Sequence, residues 1–234
     1  MRSVTIPTSS PRPPGTSGDG NEESRSARKR GAIIEAATTV FLRNGYLGTS
    51  MDEIAAVAGV SKQTVYKHFA DKQRLFSQIV IITVDEASDP VHDEVVDLQD
   101  SGDIEADLRD LARRQLAVVM RPRLLQLRRL VIAEAGRFPE LGRTFYERGP
   151  GRTITALAAT FERLEARGLL ELDDPLLAAA QFNWLIMSAP LNQAMLLGHG
   201  ESPDPAELDR AAESGVRTFL AAYGRLRKPP NART

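Results

Sequence analysis

The chain has 234 residues, 42% of them hydrophobic, with 30 Lys and Arg against 31 Asp and Glu and a formal net charge of −1. This allows one or two domains with a proper core and argues against a protein that coats nucleic acid indiscriminately. No cysteine is present, so there is no disulfide framework, thiolate nucleophile or Cys-ligated metal, which fits a cytoplasmic protein.

Aromatics are scarce, Ala and Leu abundant, and β-branched alternation is nearly missing, so the expected fold class is all-α. Residues 1–24, rich in Pro, Ser and Gly, read as a disordered tail without the apolar run of a signal peptide. Between Arg25 and Phe76 nine Lys and Arg face four Asp and Glu, whereas the remainder from Ser77 is net acidic. A basic head on an acidic body suits a localised phosphate-facing surface. Arg25, Arg28, Lys29 and Arg30 could extend it as a basic arm.

A first helix is predicted over 26–43, with Ile33, Ile34, Ala37, Val40 and Phe41 on one face and Asn44-Gly45 as its stop. Thr49 or Ser50 caps a second helix, Ser50 having capping-box spacing with Glu53, and Gly59 supplies the sharp turn that ends it. Ser61 then caps a third helix and Asp71 a fourth, which joins head to body through Leu75, Phe76, Ile79, Val80 and Val84. This is the form of a helix-turn-helix, with Ile54, Val57, Val60 and Val65 packing inward against Phe41 and Phe69. Lys62, Gln63, Thr64, Tyr66, Lys67 and His68 remain outside on the third helix, where their types suit base edges and phosphates. Lys72 at the next helix start, and the Thr49 hydroxyl, are expected to grip phosphates.

Beyond Asp89-Pro90 helices are predicted over 103–119, 122–136, 139–166, 175–197 and 205–225, several beginning at a Pro in the first turn. The 175–197 helix carries Leu176, Leu177, Ala180, Trp184, Leu185, Met187 and Leu191 on more than one side, so one side needs a partner outside its own subunit. The last helix offers Leu208, Ala212, Val216, Phe219, Leu220 and Tyr223 at similar spacing. Pairing both across a two-fold axis predicts a homodimer with a four-helix interface. Phe145, Asn183 and Trp184 are the candidate ligand-binding residues, and the sparse charge around them points to a small apolar or aromatic effector. Arg128, Arg129, Glu134 and Arg137 read as a solvated or ion-paired face.

The run Ile33-Ile34-Glu35-Ala36-Ala37, Phe41, Asn44-Gly45-Tyr46, Gly48-Thr49-Ser50-Met51, Ile54-Ala55, Ala58-Gly59-Val60-Ser61, Thr64-Val65-Tyr66, His68-Phe69 and Lys72 resembles the DNA-binding domain of the TetR family over roughly Ala27 to Val80. The resemblance implies that Thr49, Lys62, Thr64, Tyr66, Lys67, His68 and Lys72 face DNA, with Phe69 packed beneath. It also implies a larger C-terminal helical domain that binds a small molecule and dimerises through its last two helices. The stretches Ile132–Ala135, Arg137–Leu141 and Phe145-Tyr146 are similar to AefR-like members.

The organisation expected is a disordered tail (1–24), a helix-turn-helix DNA-binding domain (25–76), a helical regulatory and dimerisation domain (77–227) and a flexible tail (228–234). The function expected is a ligand-responsive transcriptional regulator, a homodimeric repressor released from a palindromic operator. The competing reading is a helical structural or protein-interaction module that leaves DNA alone. No catalytic residue, metal or cofactor is expected. His68, His92 and His199 lack ligand spacing, His92 and His199 read as loop residues, and Asp173-Asp174 reads as a cap before Pro175. The most apolar stretch, 176–197, is interrupted by Gln181, Asn183, Pro190, Asn192 and Gln193, so no membrane partner is expected.

Overall fold

The computed structural model describes residues 19–197 and 204–225. Ten α-helices account for most of them: α1 (Asp19–Gly48), α2 (Met51–Ala58), α3 (Lys62–His68), α4 (Lys72–Asp97), α5 (Ile104–Val119), α6 (Pro122–Glu134), α7 (Pro139–Tyr146), α8 (Arg152–Ala166), α9 (Pro175–Leu197) and α10 (Pro205–Tyr223). No strand occurs among the described residues; one isolated bridge, Leu170 to Gly224, ties the α8–α9 link to the end of α10. Most of the predicted tails at 1–24 and 228–234, together with His199, lie outside the described residues.

Local chemistry sets most of the helix ends. Ser50, Ser61 and Asp71 accept from the backbone N–H of Glu53, Thr64 and Arg74. Asp174 caps α9 by accepting from Leu176 and Leu177 N–H at 2.9 and 3.0 Å. Gly45 and Gly59 adopt φ of 72° and 65°, the left-handed region that an L side chain resists.

Two apolar cores divide the molecule. One joins α1–α3 to the first half of α4 and to Leu124, Leu127, Val131, Leu141 and Phe145 of α6 and α7. The other fills the body, where Phe161, Phe182 and Phe219 are fully buried with ring centroids 5.1 to 5.9 Å apart. The head therefore rests on α6 and α7 as well as on its own helices, and α4 runs unbroken through the boundary expected at residue 76.

Four expectations on secondary structure and core packing need correction. The first helix begins at Asp19 instead of residue 26, so 19–24 of the predicted disordered tail, and Arg25, are helical; Arg30 packs over the Phe69 ring at 5.3 Å and donates to Gln78. α4 continues past Pro90 and carries His92, because Val91, Val95 and Leu98 enter the body core and outweigh the lost backbone hydrogen bond. The predicted 139–166 helix breaks in a π-helical turn at Glu147–Gly151, where Gly149 leaves helical geometry ahead of Pro150. Val57 is 52% exposed, whereas Val60 is partly buried against the head core.

Candidate DNA interface and buried cavity

The head presents α3 as a short outer rod. Val65 and Phe69 anchor it in the core, while Gln63, Tyr66 (44% exposed) and Lys67 stand in solvent and His68 is half-buried. Its seven residues span about 10 Å along the axis, and an α-helix about 10–12 Å across with its side chains fits a major groove about 12 Å wide. Lys62 is exposed but paired, its Nζ 2.7 Å from Asp52 Oδ1 on α2, and that hydrogen bond and charge raise its pKa. The Thr64 hydroxyl lies 2.8 Å from Ser61 Oγ, so it is engaged at the helix start.

Two residues expected to grip phosphate are structural in this geometry. Thr49 is 3% exposed, and its hydroxyl donates to the Gly45 carbonyl at 2.7 Å. Lys72 turns inward: Nζ donates to the carbonyls of Tyr46 and Thr49 at 2.9 and 2.8 Å and sits 4.6 Å from the Tyr46 ring centroid. Burial, then the Arg137 charge, hold its pKa below the ordinary lysine value. Together they fasten the turn between α1 and α2, which sets the pose of α3. Their partners lie 4 to 26 residues away, so for Lys72 in particular local sequence carries no sign of the role.

The junction beneath is equally specific. Arg137 lies over the Tyr46 and Phe138 rings, Gln73 donates to Glu140, and Arg123 pairs with Glu35 of α1 at 3.1 Å. The head thus docks on α6 and α7 through polar as well as apolar contacts.

A cavity lies at the seam of the two cores. Val84, Ala87, Leu124 and Phe145 come to it from the head core, and Val91 and Met187 from the body core. It holds about 50 Å³ for the centre of a water molecule and opens toward solvent beside Trp184, which is 37% exposed. The three predicted ligand residues, Phe145, Asn183 and Trp184, all line it. Phe161 and Phe182 belong to the body core and do not line it.

Gln115 and Arg128 line the cavity too and escaped the sequence reading. A signal existed: Leu124, Arg128 and Val131 recur at core spacing on α6, as do Leu108, Leu111 and Gln115 on α5. Arg128 is not the solvated side chain expected. Its guanidinium lies 5.1 Å from the Phe145 ring centroid, and burial pulls its pKa below the ordinary value.

On α9 the face bearing Ala178, Ala179, Phe182 and Ile186 is buried, while Leu177, Trp184 and Leu185 remain exposed. The α10 stripe of Ala212, Val216 and Phe219 completes the subunit core instead of offering a second outward face. α9 and α10 approach closely: a Cβ on Gly215 would fall 2.5 Å from Ile186 Cγ2.

A capped helix-turn-helix carried on a helical body with a buried cavity is the build of a DNA-binding transcriptional regulator. Sequence comparison agrees. The family model for bacterial regulatory proteins of the tetR family matches residues 33–79, and that for the C-terminal domain of AefR-like transcriptional repressors matches residues 106–225, half the chain. The chain belongs to the TetR family of transcriptional regulators, which are not enzymes.

A TetR-family regulator from Mesorhizobium loti MAFF303099 is 46% identical, with a TM-score of 0.81 over 86% of this chain and 99% of that one. The flavonoid-responsive regulator FrrA is 36% identical, with a TM-score of 0.69 over 88% of this chain and 100% of its own. Among curated proteins, the transcriptional activator FasR of Mycolicibacterium smegmatis is 43% identical over 74 residues, which is 32% of this chain and 33% of FasR. The repressor BepR of Brucella suis is 40% identical over 58 residues, 25% of this chain and 28% of BepR. These curated matches thus span a third or less of the relatives' own lengths. No helix among the described residues is long and apolar enough to cross a membrane.

Proposed function

We propose that the protein is a homodimeric repressor that leaves a palindromic operator when a small molecule occupies the cavity. The observation that carries this reading is the continuity of α4. Its first residue, Lys72, secures the turn that poses α3, and Val84, Ala87, Ser88 and Val91 farther along it line the cavity. A ligand that spreads the cavity walls acts on the seam between the two cores and so on the seating of the head. The flavonoid response named for FrrA and the repression named for BepR are in keeping with it.

In this reading Gln63, Tyr66, Lys67 and His68 meet the groove directly, and Lys62 joins them by exchanging Asp52 for a phosphate. Thr64 contributes through the α3 start, while Thr49 and Lys72 act by holding the turn. The exposed Leu177, Trp184 and Leu185 of α9 form the two-fold contact. Two heads then meet half-sites about 34–36 Å apart. The site of action is the cytoplasm, where the operator is. Near-complete release requires the ligand to favour the DNA-incompatible arrangement by about 5.5 kcal/mol.

Selection of bound fragments from random duplex DNA tests both parts. A palindrome with half-sites one helical turn apart, bound by two chains, is expected. Asymmetric sites bound by one chain would remove the dimer, and no selective binding would remove the regulator.

A further inference from the structure

The cavity is apolar over most of its wall, yet three of its side chains hold polar atoms without partners. Asn183 (0% exposed) has both Oδ1 and Nδ2 unpaired, and Gln115 (1% exposed) has both Oε1 and Nε2 unpaired. Arg128 Nε is shut off from solvent with no hydrogen-bond partner, and no carboxylate among the described residues pairs with the guanidinium. The side chain as a whole is half-buried, with the guanidinium 5.1 Å from the Phe145 ring centroid. Buried polar atoms are ordinarily satisfied, and a cation drawn partly out of solvent is ordinarily paired. Here five orphaned atoms from α5, α6 and α9 line the same cavity.

We infer that the effector is a small organic acid, whose carboxylate or phenolate oxygen pairs with Arg128 while its apolar, ring-bearing body lies against Phe145, Trp184 and Met187. Asn183 and Gln115 pair with the remaining polar groups of that ligand. This rests on the cavity being the effector site, and it narrows the apolar or aromatic class expected from sequence to an anionic one. A neutral apolar ligand would bury the guanidinium further without a counter-charge. An anion supplies both the charge and the acceptor that the protein omits. In this conformation the water-sized space is small, so the ring enters by displacing wall side chains.

The test uses 3-phenylpropionate and 1-naphthoate, each beside its primary amide, which keeps the shape and one acceptor oxygen but lacks the charge. Trp184, the single tryptophan of the chain, lines the cavity and reports 3-phenylpropionate by fluorescence; calorimetry reports both acids. Each acid is expected to bind the full-length parent at least tenfold tighter than its amide. Arg128→Met should erase that preference without lowering the melting temperature, which shows that the variant is folded. Arg128→Lys should retain part of it. Amides that bind as tightly as acids, an acid preference that survives Arg128→Met, or no binding of either acid at millimolar concentration would each overturn the inference. Gel shifts on the selected operator separate the two readings. Acids that bind but leave the DNA complex intact support the ligand class and sink ligand release, whereas amides that bind equally and release DNA do the reverse.

Discussion

In the head, polar side chains that go inside are answered: Thr38 donates to Ile34, Thr49 to Gly45, and Lys72 to two carbonyls at once. Around the cavity Thr153 is answered by Gly149, but Gln115, Asn183 and Arg128 Nε are left open, and among the described residues the one other buried unpaired side-chain atom is His92 Nδ1 on α4. The contrast separates two tasks. A surface that reads DNA gains from a single fixed pose, because each contact is made without first ordering the side chain. A pocket that must respond gains from groups whose partners arrive from outside, at a standing cost to stability.

Substitutions can break or sharpen that contrast. The largest effect is expected from Lys72→Ala, which leaves two carbonyls without their charged donor and should destabilise by about 2–3 kcal/mol. Thermal melting measures the loss. DNA binding should fall with it, while the salt dependence of the residual binding keeps its slope, since no phosphate contact has gone. A reduced slope would return Lys72 to the phosphates. Asn183→Leu should move the other way, gaining about 1–3 kcal/mol by replacing an orphaned amide with an apolar side chain of similar size. At roughly 2–4 °C per kcal/mol that rise is readily seen, and a fall would mean the amide is satisfied in solution.

Tyr66→Ala should weaken operator binding about tenfold in gel shifts, the size of one phosphate or base-edge contact, with an unchanged melting curve. Wild-type affinity would take Tyr66 out of the interface. The smallest effect is expected for Asp52→Asn, which frees Lys62. Binding should tighten roughly two- to fivefold at low salt and return to parent values near 0.3 M, where screening is strong. A salt-independent change would point to altered α2 packing instead.

What was legible in the sequence follows the same division. Caps and turn residues speak locally, so Ser50, Gly59, Ser61 and Asp71 could be assigned to the helix ends they in fact mark. Thr49 and Lys72 look like surface residues beside DNA; Thr49 is claimed locally by the Gly45 carbonyl, whereas the carbonyls that claim Lys72 reach it only when α1 folds back on α4. Pro90 carries a strong local signal for a helix end, overruled by the burial of Val91 and Val95. Phe145, Asn183 and Trp184 were chosen by type and do line one cavity. Arg128 was read by its charge alone, although its spacing from Leu124 and Val131 places it on the inward face.

The length of α4 has a mechanical consequence. Ala87 at the cavity and Lys72 at the tip are about 22 Å apart along the axis, at 1.5 Å per residue. A tilt of about 10° pivoting near Ala87 therefore carries the tip by about 4 Å, close to the 3.4 Å rise of one base pair. Under the proposed release mechanism, a shift of about 1 Å at Val91, four residues beyond the pivot, would become a whole step of the double helix at the tip, and rigidity of the rod, more than size of the pocket, sets the gain.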